Sequence, residues 1–196
     1  MHSEIPQPWK AFLEELDRAI AVDPAFAGAA AHLHCVGAFV VAVLYALPRP
    51  TNDLDIITVE PFALINPLLK LAGSESALAK KHGVHIDAQA RVATMPCNYT
   101  DRLTEMYPGA LTKIRLLAPD PHDLALSKLA RNADRDIEDV KMLARSGALN
   151  PDTLRERYAD ELRPYLVGRI EWHDQTLELW VEMITELAAN RPSQVD

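Results

Sequence analysis

Apolar positions near the start of the chain recur every three or four residues. Trp9, Leu13, Leu16 and Ile20 share one helical face, with Glu14, Glu15, Asp17 and Arg18 between them. This predicts an amphipathic first helix, ended by Asp23-Pro24. His32 to Val36 reads as a short strand, Gly37 as a turn, and Ala38 to Leu47 as a buried helix stopped by Pro48 and Pro50. A strand is predicted over Leu54 to Val59. Helices follow over Phe62 to Ala72 and Ser74 to His82, separated by Gly73. Val84 to Val92 alternates with period two and predicts a strand; Lys113 to Leu117 predicts another.

Beyond Pro121 the pattern is helical. Asp134 to Ser146 is a charged helix with Gly147 past its end, and Asn150 is placed to cap a helix opened by Pro151. Ile170, His173, Leu177, Trp180, Ile184 and Leu187 form the stripe of a last helix. That stripe must pack on the same chain or, in a dimer, on a second copy. The fold class expected is α+β, a small mixed sheet with flanking helices followed by a helical C-terminal half. The division expected is residues 1–118 and 119–196, with the break at Ala118 to Pro121.

Composition narrows the function classes. A chain of 196 residues can bury a sizeable core. Its net charge of −8 argues against a general nucleic-acid coat protein, though not against a local basic groove. Cys35 and Cys97 are far apart and lack a CxxC partner, so a structural zinc site and a disulfide framework are not expected. The segment Met1-His-Ser-Glu-Ile-Pro lacks the basic-then-apolar pattern of a secretory leader, and Val36 to Leu47 is too short to span a bilayer. A cytoplasmic protein with no membrane partner is expected.

The chemistry concentrates in Arg49-Pro-Thr-Asn-Asp-Leu-Asp. Asp53 and Asp55 are two apart on a strand, so both carboxylates point to one face roughly 7 Å apart at the backbone. At an effective dielectric of about 20, unit charges about 4 Å apart repel by about 4 kcal/mol. A hard divalent cation with oxygen ligands relieves that repulsion. Gly37, at a strand-to-helix turn, lets backbone N–H groups approach a phosphate at the helix start. Arg49 and Thr51 either form the turn after Pro48 or face phosphate, since Thr51 shares a face with Asp53. His32 and His34 share a strand face but lack a third ligand at useful spacing.

Val36-Gly37-Ala38, the helix, and Asp53-x-Asp55 between apolar residues resemble the signature of the DNA polymerase beta-like nucleotidyltransferases. The form Arg49-x-Thr51-x-Asp53-x-Asp55 is similar to the minimal AbiEii-like and MenT-like branch, as are Asp123 to Arg131 and Arg135-Asp136-Ile-Glu-Asp139. This resemblance, over Leu33 to Leu149, implies a palm-like fold and a third carboxylate from a later strand, Asp87. It implies Mg²⁺ or Mn²⁺ held by Asp53, Asp55 and Asp87, with Asp87 accepting the attacking proton. It also implies Lys128 as a cation for the phosphates, and Gly37, Ala38, Arg49, Thr51 and Asp136 at the nucleotide. Asp136 or Asp139 would position Lys128.

The activity implied moves a nucleoside monophosphate from a nucleoside triphosphate to an acceptor hydroxyl on a tRNA end, a protein or a small molecule. The branch further implies a toxin–antitoxin or phage-defence setting with a cognate antitoxin. One position departs from the pattern: Ala38 keeps a backbone N–H but has no hydroxyl for a phosphate. It leaves open a catalytically degenerate member that binds and regulates. A helical interaction protein with solvated acidic motifs is the further rival. Under it, Asp87 is merely exposed, Lys128 snorkels, and Arg135 to Asp139 form a surface charge net.

Overall fold

The computed structural model describes residues 4–45, 51–88 and 94–190. The chain forms two compact units, Met1–Val92 with Leu103–Pro119, and Ala93–Arg102 with Asp120–Asp196. No described helix is long and apolar enough to cross a membrane.

The first unit is α+β. Its helices are α1 (Trp9–Val22), α2 (Gly37–Tyr45), α3 (Ile65–Ala72) and α4 (Ala77–His82). Its strands are β1 (Ala31–Val36), β2 (Asp53–Glu60), β3 (His85–Ala88), β4 (Thr104–Met106) and β5 (Ile114–Ala118), in the order β3-β2-β1-β5-β4. The sheet is mixed: β1 runs antiparallel to β2 and parallel to β5, β2 runs parallel to β3, and β4 runs antiparallel to β5. β1 lies at the centre, and all of its residues except His32 are buried. Trp9 meets Phe39 of α2 edge-on at 4.8 Å, and Phe12, Leu13, Leu16 and Ile20 complete the buried face of α1.

Three local features differ from the pattern-based expectation. Asp17, read among the solvated charges of α1, is buried. Its carboxylate accepts the consecutive N–H groups of Thr112, Lys113 and Ile114 at 2.6–3.1 Å and the Thr112 hydroxyl at 2.7 Å. Buried backbone donors need acceptors, and one carboxylate can serve several. α4 starts at Ala77, not Ser74, because Ser76 is the cap and its hydroxyl accepts the Ala79 N–H. β4 escapes the sequence pattern because three residues are too few to show alternation.

The second unit is helical, with α5 (Pro121–Leu126), α6 (Asp134–Ser146), α7 (Pro151–Arg157) and α8 (Ile170–Ala189). Gly147 closes α6 in the left-handed conformation, and the Asn150 side chain caps α7 through Asp152 and Thr153. His173, Leu177, Trp180 and Ile184 bury the α8 stripe, and the helix packs on α6 and α7 of the same chain. Residues 93–102 go with this unit, so the division is not a single cut at 118/119. The reason is a buried ion network. Asp123, fully buried, accepts two bonds from Arg102 and one from Arg157; Arg102 also bonds Glu161, and Arg157 bonds Asp120.

Candidate functional site

β2 carries the first two carboxylates. Leu54 and Ile56 are buried, while Asp53 and Asp55, alternating with them, are half-buried on the opposite face. Strict alternation would next bury Thr58, yet Val59 is the buried residue. The β1–β2 register explains this: His34 pairs with Thr58 and Cys35 with Ile56, leaving Ile57 as the extra residue of a bulge. A bulge restores the inward face by one residue and lets Asp53 and Asp55 keep theirs.

β3 brings up the third. Its parallel register pairs Asp55 with Asp87 and Asp53 with His85. Partners in adjacent strands point to the same face, with strands about 4.8 Å apart. Asp53, Asp55, His85 and Asp87 therefore form a two-by-two arrangement on one face of the sheet, with Asp87 exposed and His85 half-buried. The remainder of the strand predicted as far as Val92 lies outside the described residues, as does Arg49.

The turn from β1 into α2 closes against this face. Val36 pairs with Asp55, and Gly37 follows with φ +76°. A Cβ built on Gly37 would lie 2.1 Å from Asp55 Oδ2 and 3.0 Å from its Cγ. The Asp55 carboxylate thus occupies the space that only glycine leaves open, and the left-handed backbone there also favours glycine. Gly37 and Ala38 are the first two residues of α2, so their N–H groups are among those with no partner inside the helix. Thr51 Oγ1 bonds the Asp53 carboxylate at Oδ1 and lies 3.1 Å from the Asp53 carbonyl oxygen. This anchoring was not foreseen; the Thr-x-Asp spacing is its only trace in the sequence.

Among the described residues, no three His, Cys, Asp or Glu side chains close into a metal cage. What the three aspartates share is a face and an all-oxygen donor set, which is the chemistry of Mg²⁺ and Mn²⁺ sites. The clearance at Gly37 leaves room for one of those donors. The donor chemistry fits a hard divalent cation. On the same face further along, His34 is buried with Nε2 3.6 Å from Glu60 Oε1. Burial pushes its imidazole below the usual range, against the pull of Glu60.

Lys128 and Asp136 belong to the second unit. Lys128 is not a snorkelling side chain: it is 5% exposed, and its ammonium donates to Asp139 at 2.9 Å. Asp136 lies farther from it, at 3.9 Å. Asp136 accepts from Arg131 at 2.5 and 2.7 Å and from the Ala133 N–H at 3.0 Å. Burial favours its neutral acid form, but Arg131, the Ala133 N–H and Lys128 together outweigh that and hold the carboxyl's pKa below its ordinary range. Asp139 rather than Asp136 is thus the hydrogen-bonded partner of Lys128. Within the supposed surface net, only Arg135 and Glu138 are exposed, with Glu138 bonded to Lys141.

No characterised protein and no solved structure matches the chain. A protein-family comparison does, over residues 22–187. That span includes β1 to β5 and all but the last two residues of α8. The chain therefore belongs to the family described as nucleotidyltransferase of unknown function (DUF6036).

Proposed function

We propose that the chain moves a nucleoside monophosphate from a nucleoside triphosphate to an acceptor hydroxyl, with Mg²⁺ or Mn²⁺ as cofactor: the hydroxyl oxygen bonds to the α-phosphorus as the bond from that phosphorus to the β-phosphate oxygen breaks, and pyrophosphate leaves. The observation that carries this reading is the register of β2 and β3, which sets Asp55 beside Asp87 on the face that also bears Asp53. Asp53, Asp55 and Asp87 would hold the cation, which when bound supplies positive charge against the phosphate oxygens. The first N–H groups of α2, at Gly37 and Ala38, offer donors to a phosphate, and their backbone supplies them whatever the side chain. That is why Ala38 does not undo the reading. Asp87, the most exposed of the three, accepts the proton of the attacking hydroxyl.

The test uses the purified chain with each α-labelled nucleoside triphosphate, Mg²⁺ or Mn²⁺, and total RNA or protein extract. Label should pass to a discrete acceptor with the wild type and not with Asp53→Asn. The kind of acceptor labelled, RNA, protein or small molecule, names the substrate class. Absence of transfer from all four nucleotides with either metal would overturn the proposal. A toxin role belongs to the same reading, and predicts growth arrest on expression of the wild type but not of Asp53→Asn.

A further inference from the structure

Thr51 has a single hydroxyl proton, and the structure commits it to Asp53. A threonine hydroxyl has one proton to donate and two lone pairs. With the proton directed at Asp53, what it presents outward is lone-pair density, which a phosphate oxygen avoids. The branched side chain holds the hydroxyl in few rotamers, so the bond orients the carboxylate and not only its partner. For Asp55 the corresponding feature is space, which the missing Cβ of Gly37 leaves for its carboxylate. Neighbouring carboxylates on one face repel each other, and the Thr51 hydroxyl holds Asp53 against that repulsion.

We infer that Thr51 is a positioning residue: it holds the Asp53 carboxylate on the shared face for a divalent cation, and does not bind the triphosphate. The inference rests on the nucleotidyltransferase reading. Groups that hydrogen-bond a metal ligand set its orientation, and their loss typically costs about 10- to 100-fold in metal affinity.

The experiment is a Mn²⁺ titration of the chain without nucleotide, reading free Mn²⁺ by electron paramagnetic resonance, on wild type, Thr51→Val, Thr51→Ser and Asp53→Asn. Valine keeps the shape of threonine without the proton; serine keeps the proton. Thr51→Val should weaken Mn²⁺ binding about 10- to 100-fold, with Thr51→Ser close to wild type. At saturating Mn²⁺, Thr51→Val should keep the wild-type KM for the triphosphate. If its melting curve shows that the valine variant does not fold, Thr51→Ala must show the same weakening. Unchanged Mn²⁺ affinity in a folded Thr51→Val chain overturns the inference and leaves the activity standing. So does a raised triphosphate KM at saturating metal with unchanged Mn²⁺ affinity, which would make Thr51 a phosphate ligand. A wild type that binds Mn²⁺ no better than Asp53→Asn overturns the metal site itself, and this inference with it.

Discussion

Gly37→Ala separates the cost of an unusual backbone from the cost of moving a carboxylate. Gly37 sits at φ +76°, so alanine there carries a left-handed penalty of about 1–2 kcal/mol. For a chain of this size that lowers the melting temperature by about 2–8 °C. The second cost falls on the site. The new Cβ would lie 2.1 Å from Asp55 Oδ2, where real Cβ contacts essentially never fall below 3.0 Å, so the oxygen must retreat by about 0.9 Å. A carboxylate can swing by that much through its own torsions, so the fold absorbs the change and the ligand geometry does not. Misplacement of a reacting group by about 1 Å costs on the order of 100-fold, or about 2.7 kcal/mol in transition-state terms.

The control is Gly109→Ala. Gly109 has φ +78° and nothing within 4 Å of a built Cβ, so it bears the backbone penalty alone. Thermal unfolding and kcat/KM for labelled nucleotide transfer, measured well below both melting temperatures, should show similar destabilisation in the two variants. The loss of about 100-fold in kcat/KM should appear only in Gly37→Ala. If Gly37→Ala transfers nucleotide within about threefold of wild type, the close approach of Gly37 and Asp55 has no part in the activity.

Three further outcomes follow from the contacts described. Asp17→Ala strips three backbone N–H groups and the Thr112 hydroxyl of one shared acceptor, and should cost roughly 3–5 kcal/mol in chemical denaturation; a loss below about 1 kcal/mol would mean that water replaces the carboxylate. Lys128→Met removes the cation from a buried pair with Asp139 and should cost about 3–5 kcal/mol, with any fall in transfer beyond the unfolded fraction marking a role in the reaction; unchanged stability refutes the buried-pair reading. Asp136, held below its ordinary range in the folded chain, gives stability that is complete above about pH 4 and is lost as pH falls through its depressed value. Asp136→Asn should therefore be less stable at pH 7 and show a shallower decline from pH 4 to 2 in urea midpoints; parallel declines would refute the linkage.

What the sequence made legible were the features set by short-range spacing. Period two placed Asp53 and Asp55 on one face, and the cap residues Asn150 and Gly147 stand at the helix ends that their chemistry suits. The mixed α+β class follows from the same local patterns. What stayed hidden depends on partners far along the chain. Arg102 meets Asp123 across 21 positions and Glu161 across 59, and Asp17 meets Thr112 across 95. No spacing rule reaches that far, so a buried Asp17 and an exposed Arg18 both read as surface charges of the first helix. The Ile57 bulge was hidden for another reason. Leu54, Ile56 and Val59 break the alternation by one residue, and only pairing with β1 shows the break to be a bulge and not the end of a strand. That register step keeps β2 paired with β1 as far as Glu60, while the face that Asp53 and Asp55 share with Asp87 is set before it by the pairing with β3. What reads along the chain alone as a flaw in the strand pattern is thus the step that turns Val59 inward after the site has been laid down.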